Sequence, residues 1–200
     1  MKKRTIFLMT FVLVALLVVG GTMAWFTDNV TVTNSFTAGT VDVDLIENGS
    51  TVGDDFDGIE IGNVNPGDDH DKEITVKSNG SKQTYVRVKL IPKWTFADQT
   101  TSNELAPAEY LGLNTTKWIE SDGYYYYSDI LNKDDITEAL ITGIYFNGLN
   151  MDNDYQGATF ELEVRVDAVQ ASHYAFRDEW DITGNPLPLV PAPGVEEWAE

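Results

Sequence analysis

From Thr40 onward the apolar residues fall on every second position, and that spacing limits the fold more than any other feature of the chain. The longest run is Phe160, Leu162, Val164, Val166 and Ala168, interleaved with Glu161, Glu163, Arg165 and Asp167. A period of two sends alternate side chains to opposite faces of an extended backbone, so such a run is a strand with one face on a core and one in water. Val41, Val43 and Leu45 alternate with Asp42 and Asp44 in the same way, and Val86, Val88 and Leu90 with Tyr85, Arg87 and Lys89. Ile59 and Ile61 flank Glu60, Ile74 and Val76 flank Thr75, and Ile141–Phe146 reads as a further strand. Asn65-Pro66-Gly67-Asp68 and Ser78-Asn79-Gly80-Ser81 carry turn chemistry, the second expected to join two strands as a hairpin. In Lys133–Leu140 the pattern predicts a helical turn capped by Asp134 or Asp135. Many short strands divided by turns predict an all-β fold, an antiparallel β-sandwich of jelly-roll type with short helical insertions.

The other strong signal is at the start. Lys2, Lys3 and Arg4 precede an apolar run, Ile6–Val19, interrupted by Thr10. Fourteen helical residues reach roughly 21 Å, short of the ~30 Å hydrocarbon core, so the run suits the h-region of an export leader. Thr22 and Ala24 occupy the −3 and −1 positions of a cleavage site between Ala24 and Trp25. The expected organisation is a signal peptide over 1–24, an N-terminal strand segment over 25–36, a β-sandwich over 37–183 and a Pro-rich acidic tail over 184–200. In that tail Trp198 is the one residue expected to dock.

Charge narrows the partners. The chain holds 13 Lys+Arg against 32 Asp+Glu. Loss of the leader with its three basic residues takes the net charge to about −22, a surface that repels nucleic acid and anionic lipid. The membrane is expected to be met only through the leader, before cleavage. No cysteine is present, so disulfides and thiolate metal sites are ruled out.

Several segments resemble one family. "GGTMAWFTD" (Gly20–Asp28), "NSFTAGTVDVDL" (Asn34–Leu45), Asn65–Leu90 and Gly157–Ala171 are similar to the TasA/camelysin family of secreted Gram-positive proteins. The resemblance implies export with a SipW-type signal peptidase, a β-sandwich, and either a fibre subunit of biofilm matrix or, on the camelysin side, a surface metalloprotease. Thr95–Asp135 carries no such likeness.

Protease chemistry finds little in the residues. There are two histidines, His70 and His173, and no H-E-x-x-H that would set two imidazoles on zinc beside a glutamate base. No catalytic residue, cofactor or metal ligand is therefore expected. Calcium is the cation the oxygen-rich loops would suit: Gly53–Gly58, Gly67–Asp71 and Asn150–Gly157. In the third, Asp152, Asp154, Gly157 and Glu163 take the first, third, sixth and twelfth EF-hand positions, with Gln156 at the fifth. That motif needs flanking helices, whereas Glu163 lies in the clearest strand of the chain. In "YYYY" (Tyr124–Tyr127) one alternate pair is expected in the core and the other half exposed; the rival reading is an aromatic platform.

Cleavage would free a segment built to pair. Phe26, Val30, Val32 and Phe36 share one face of an extended Trp25–Phe36, with β-branched residues and no Pro or Gly. Either it folds onto its own sheet as an edge strand, or it completes a neighbour's sheet by strand addition and propagates a filament. Four buried side chains would give about 6–12 kcal/mol gross, at ~1.5–3 kcal/mol each, before ordering costs. The resemblance to TasA-type fibre proteins favours the second, with the chain itself as partner. An accessory matrix protein is the alternative partner, for a monomeric adhesin or anchoring factor.

Overall fold

The computed structural model describes residues 27–31, 34–35, 41–52, 59–61, 64–172 and 174–182. The strands are β1 (Thr27–Thr31), β2 (Asn34–Ser35), β3 (Val43–Glu47), β4 (Ser50–Thr51), β5 (Ile59–Ile61), β6 (Asp69–Asp71) and β7 (Ile74–Ser78). They continue with β8 (Thr84–Thr95), β9 (Thr101–Ser102), β10 (Ala108–Leu111), β11 (Trp118–Ser121), β12 (Tyr124–Tyr127), β13 (Gly143–Phe146) and β14 (Thr159–Gln170). A 3-10 turn covers Asn153–Tyr155, and one short helix, α1 (Ala175–Trp180), follows β14. The fold is all-β and antiparallel.

Two 12-residue strands, β8 and β14, pair along their whole length, from Thr84 opposite Gln170 to Thr95 opposite Thr159. The free edge of β14 takes β5 near one end and β1 near the other. The free edge of β8 takes β12, followed by β11, and then β9. Pro92, which has no N–H to donate, falls in the gap between β12 and β9, where no ladder demands one.

The second layer holds β4-β3-β7 and β10-β13-β6. The stretch before β13 sews the two together. Thr137 N donates to Val76 O (2.9 Å), Leu140 N to Ile74 O (2.8 Å) and Lys72 N to Thr142 O (3.0 Å). Gly143 is required where β13 meets β6, because a Cβ there would stand 2.8 Å from the His70 carbonyl oxygen.

Between the layers lie the alternating residues the sequence marked: Val43, Leu45, Ile74 and Val76 against Val86, Val88, Phe160, Leu162, Val164 and Val166, all fully or almost fully buried. At ~1.5–3 kcal/mol per buried side chain, these rows supply the main drive for folding. Trp94 closes one end, with its ring 4.8 Å from Phe160 and 5.7 Å from Phe146.

Two local expectations are corrected. Ser78–Ser81 does not close a hairpin: β7 pairs with β3 and β8 with β14, so the turn hands the chain from one layer to the other. Asn79 N and Gly80 N both donate to Asp42 O, which fixes that crossing. Lys133–Leu140 forms no helix. Asp135 Oδ2 accepts from Asn132 N (2.7 Å), and the chain then runs extended beside β7, where its N–H groups find sheet partners. Tertiary pairing there outweighs the local cap signal.

Candidate functional site

The segment singled out for assembly meets the rest of the protein at the edge of β14. β1 lies antiparallel to it, with Thr27 opposite Val169, Asp28 opposite Ala168, Asn29 opposite Asp167, Val30 opposite Val166 and Thr31 opposite Arg165. Val166 and Ala168 are fully buried in the main core. In this single chain the strand therefore completes its own sheet. Of the residues expected to act here, Val30 is on the ladder; Ala24, Trp25, Phe26, Val32 and Phe36 lie outside the described residues, as do the leader, His173 and the tail.

The segment is not one strand. β1 reverses into β2, with Val30 opposite Ser35 and Thr31 opposite Asn34. Occupancy explains the reversal. Continued straight, the chain would place position 32 opposite Val164 and position 34 opposite Leu162, where β5 already pairs through Ile59. Two elements share one edge, and the N-terminal one must turn away. The Val32-Thr33 connection has neither Gly nor Pro, so periodicity alone runs through it. β1 itself spans Thr27–Thr31, in which Val30 is the one large apolar residue.

Beside the seat, the outer face of the β8·β14 pair holds a second, smaller cluster. Tyr85, Tyr126, Val169 and Ala171 are buried in it against Ala175 and Phe176 of α1 and Ile182 just beyond. Tyr85 is thus buried although its row of β8 points away from the main core, and Phe176 meets it edge-on at 5.9 Å. The Arg87 guanidinium bonds Asp167 at 2.9 Å and lies over the rings of Tyr124 (3.9 Å) and Trp180 (4.7 Å), tying α1 to the sheet. The tyrosine run divides between the two faces as its alternation predicts but not in exposure, since Tyr126 of the outer pair is buried and Tyr125 of the core pair is only half-buried. Tyr125 and Tyr127 pack with the main core, Tyr124 and Tyr126 with the outer cluster.

The described residues do not fit a catalytic metal. No three His, Asp or Glu side chains among them converge on one point. His70 sits in β6 with its ring against Phe146 at 5.7 Å and its Nε2 buried without a hydrogen-bond partner. Its neighbours Asp69 and Asp71 are exposed on the alternate face of the strand. In the EF-hand-like stretch, Asp152 Oδ1 accepts from Asp154 N (3.0 Å), while the Glu163 carboxylate accepts from Arg165 Nε (2.7 Å) on β14. Two open hollows of about 430 and 470 Å³ flank this turn, and the described residues lining them include no histidine and no lysine.

A buried ion pair went unnoticed in the sequence. Lys72 Nζ stands 2.5 Å from Glu47 Oε2, and both side chains are within 4% of complete burial. Burial pushes the Lys72 ammonium below its ordinary range, against the opposing pull of Glu47. Among the described residues no helix is long and apolar enough to cross a membrane. In comparison with known proteins, a family model described as Camelysin metallo-endopeptidase matches residues 1–112. Neither the curated proteins nor the solved structures yield a match.

Proposed function

The chain belongs to the camelysin metallo-endopeptidase family, and from that premise and the N-terminal ladder we propose that it is a structural protein, the subunit of a secreted fibre. It acts in the extracellular matrix or on the cell surface of a Gram-positive-type bacterium, after a signal peptidase of SipW type cuts between Ala24 and Trp25. Subunits join when Thr27–Thr31 of one chain leaves its own β14 and takes the same five-residue register on the β14 of the next.

The carrying observation is that ladder. Among the described residues β1 pairs with the sandwich through β14 alone, and its other ladder is with β2. A terminal strand held in this way can be exchanged for an identical copy with no loss of contacts, and the head-to-tail contact that results propagates unless it closes. The resemblance to TasA-type fibre proteins supports the same reading. Protease action, which the family description suggests, would need ligands that the described residues do not gather.

Deleting Trp25–Asn34 from the cleaved chain is expected to leave a folded protein that stays monomeric by size-exclusion chromatography and electron microscopy. Fibres of normal length from that deletion would overturn strand exchange. An intact chain that remains monomeric alone, yet co-assembles with a second secreted protein, would mark an anchoring accessory. Stoichiometric zinc with chelator-sensitive casein cleavage would mark a peptidase.

A further inference from the structure

We propose that the end of the sandwich around the 3-10 turn is a glycan-binding site, a trough that takes a linear, non-acidic polysaccharide across Asn153 and Gln156. The site goes beyond the fibre reading and does not depend on it.

Two turns at one end of the β8·β14 pair make the trough. The chain leaving β8 reverses over residues 96–100, where Phe96 N donates to Thr100 O and Gln99 N to Phe96 O, both at 2.9 Å. The chain approaching β14 winds through Asn153–Tyr155, closed by Gln156 N on Asn153 O (3.2 Å) and Ala158 N on Tyr155 O (3.1 Å). Both turns line the hollow of about 470 Å³, and the second turn also lines the hollow of about 430 Å³. Asn153 and Gln156 belong to both walls, so the hollows adjoin across that turn.

Each hollow has an aromatic ring in its wall, Phe96 in the first and Tyr155 in the second. Both residues are half-buried. Their rings meet edge to face at 5.5 Å, and Tyr155 is braced on the buried Trp94 at 4.9 Å. Rings held in this way are set before a ligand arrives, so binding spends little on ordering them.

Around the rings the wall is polar. The side-chain amides of Asn153 and Gln156 make no hydrogen bond with other described residues. An amide offers donors and an acceptor side by side, and a carboxylate offers two acceptors. Neighbouring hydroxyls on a sugar present the complementary set, while the C–H face of the ring packs on an aromatic side chain. Asp98 and Asp154 supply the carboxylates. Asp98 is held in place by Thr100, whose hydroxyl and amide donate to Oδ1 at 2.6 and 2.9 Å. Those bonds keep its pKa below the ordinary carboxylate range.

Charge and position narrow the ligand. The described lining residues include no Lys, Arg or His, so phosphate, sulfate or uronic acid groups would meet carboxylates with no cation to receive them. Two open, adjoining hollows suit a chain that passes through, whereas a small molecule is held by enclosure. The nearest rung of β1, Thr31 opposite Arg165, lies six residues along β14 from Thr159, roughly 20 Å away. A glycan in the trough therefore leaves the β1 edge undisturbed.

The test titrates the full chain with cellohexaose, a chitosan hexamer and hexagalacturonate, read by calorimetry and tryptophan fluorescence. At least one of the two non-acidic hexamers is expected to bind, and which one does tells hydroxyl from amine recognition; the acidic hexamer should not bind. Phe96→Ala, Asn153→Ala and Gln156→Ala should each weaken binding by about tenfold. Phe96→Tyr should keep it, and Glu120→Gln on β11 should change nothing. The two amide variants replace exposed side chains, so they report on the site even where near-ultraviolet circular dichroism shows Phe96→Ala unfolded. No binding of either non-acidic hexamer at millimolar concentration would overturn the site, as would full affinity in the amide variants or equal affinity for hexagalacturonate. Binding of the chitosan hexamer alone, abolished by salt and unmoved by all three alanine variants, would mark adsorption to an acidic surface and overturn it too.

Discussion

Lys72 sits in the run Asp-Asp-His-Asp-Lys-Glu, which reads as a solvated charged turn, yet its side chain enters the interior to meet Glu47. The pair is diagonal on the inward face of the second layer, since Glu47 lies opposite Ile74 in the β3·β7 register. Glu47 Oε1 is left buried without a hydrogen-bond partner among the described residues. Lys72→Met is expected to lower stability by about 3–5 kcal/mol, because it strands a buried carboxylate. Adding Glu47→Leu should restore most of that loss, and chemical denaturation of both variants measures it. Sequence could not expose the pair, because the inward turn of Lys72 depends on how β6 and β7 meet the 136–142 stretch. The residues of the candidate site were readable only in part: Val30 shows in the alternation, while Ala171 gains meaning once Phe176 and the rest of α1 are folded over it.

The strands followed their periods, and the connections between them did not. Alternation placed β3, β7, β8, β13 and β14 and their inward rows, because a half-buried strand writes its burial into every second residue. It missed the layer crossing after Ser78 and the reversal after Thr31, since both are set by edges already occupied elsewhere in the fold. The tyrosines of β10 and β12 show what such placement does to titration. Burial raises the phenol pKa of Tyr110, Tyr125 and Tyr127 above the ordinary 10.0. An acid whose folded pKa is raised stays neutral in the native state while the unfolded chain ionises. Its contribution is therefore whole below pH 10 and is lost as pH climbs from there through the folded value. Lys72, lowered by burial, works against this, since stability gains as it discharges. Burial raises Tyr155 as well, and with four phenols against one amine the protein should lose stability above pH 10. Phenolate absorbance is expected to rise in one step together with loss of near-ultraviolet circular dichroism. A smooth phenol titration with the fold intact would contradict that.

At the scale of the molecule, charge bears on the assembly proposed above. The chain carries a net charge of −19, so copies approaching end to end repel each other until carboxylates are protonated or screened. Assembly of the cleaved chain, followed by light scattering, should quicken on going from pH 8 to pH 5. Calcium and magnesium should quicken it to similar degrees if they act by screening. Rates indifferent to both conditions would show that repulsion does not limit assembly. The fibre expected is one of folded subunits, because Glu161, Glu163, Arg165 and Asp167 alternate through β14 and oppose stacking of identical strands in register. The edge of β14 adds a kinetic side to this. Because β5 holds the stretch near Phe160 on its own, departure of β1 bares only the far part of the edge and leaves the aromatic end of the core closed. Opening at that place has its own free energy, smaller than that of unfolding. On the strand addition proposed above, subunits would trade strands from the native state, and a fibre so built would grow and mend at its ends without any member losing its fold.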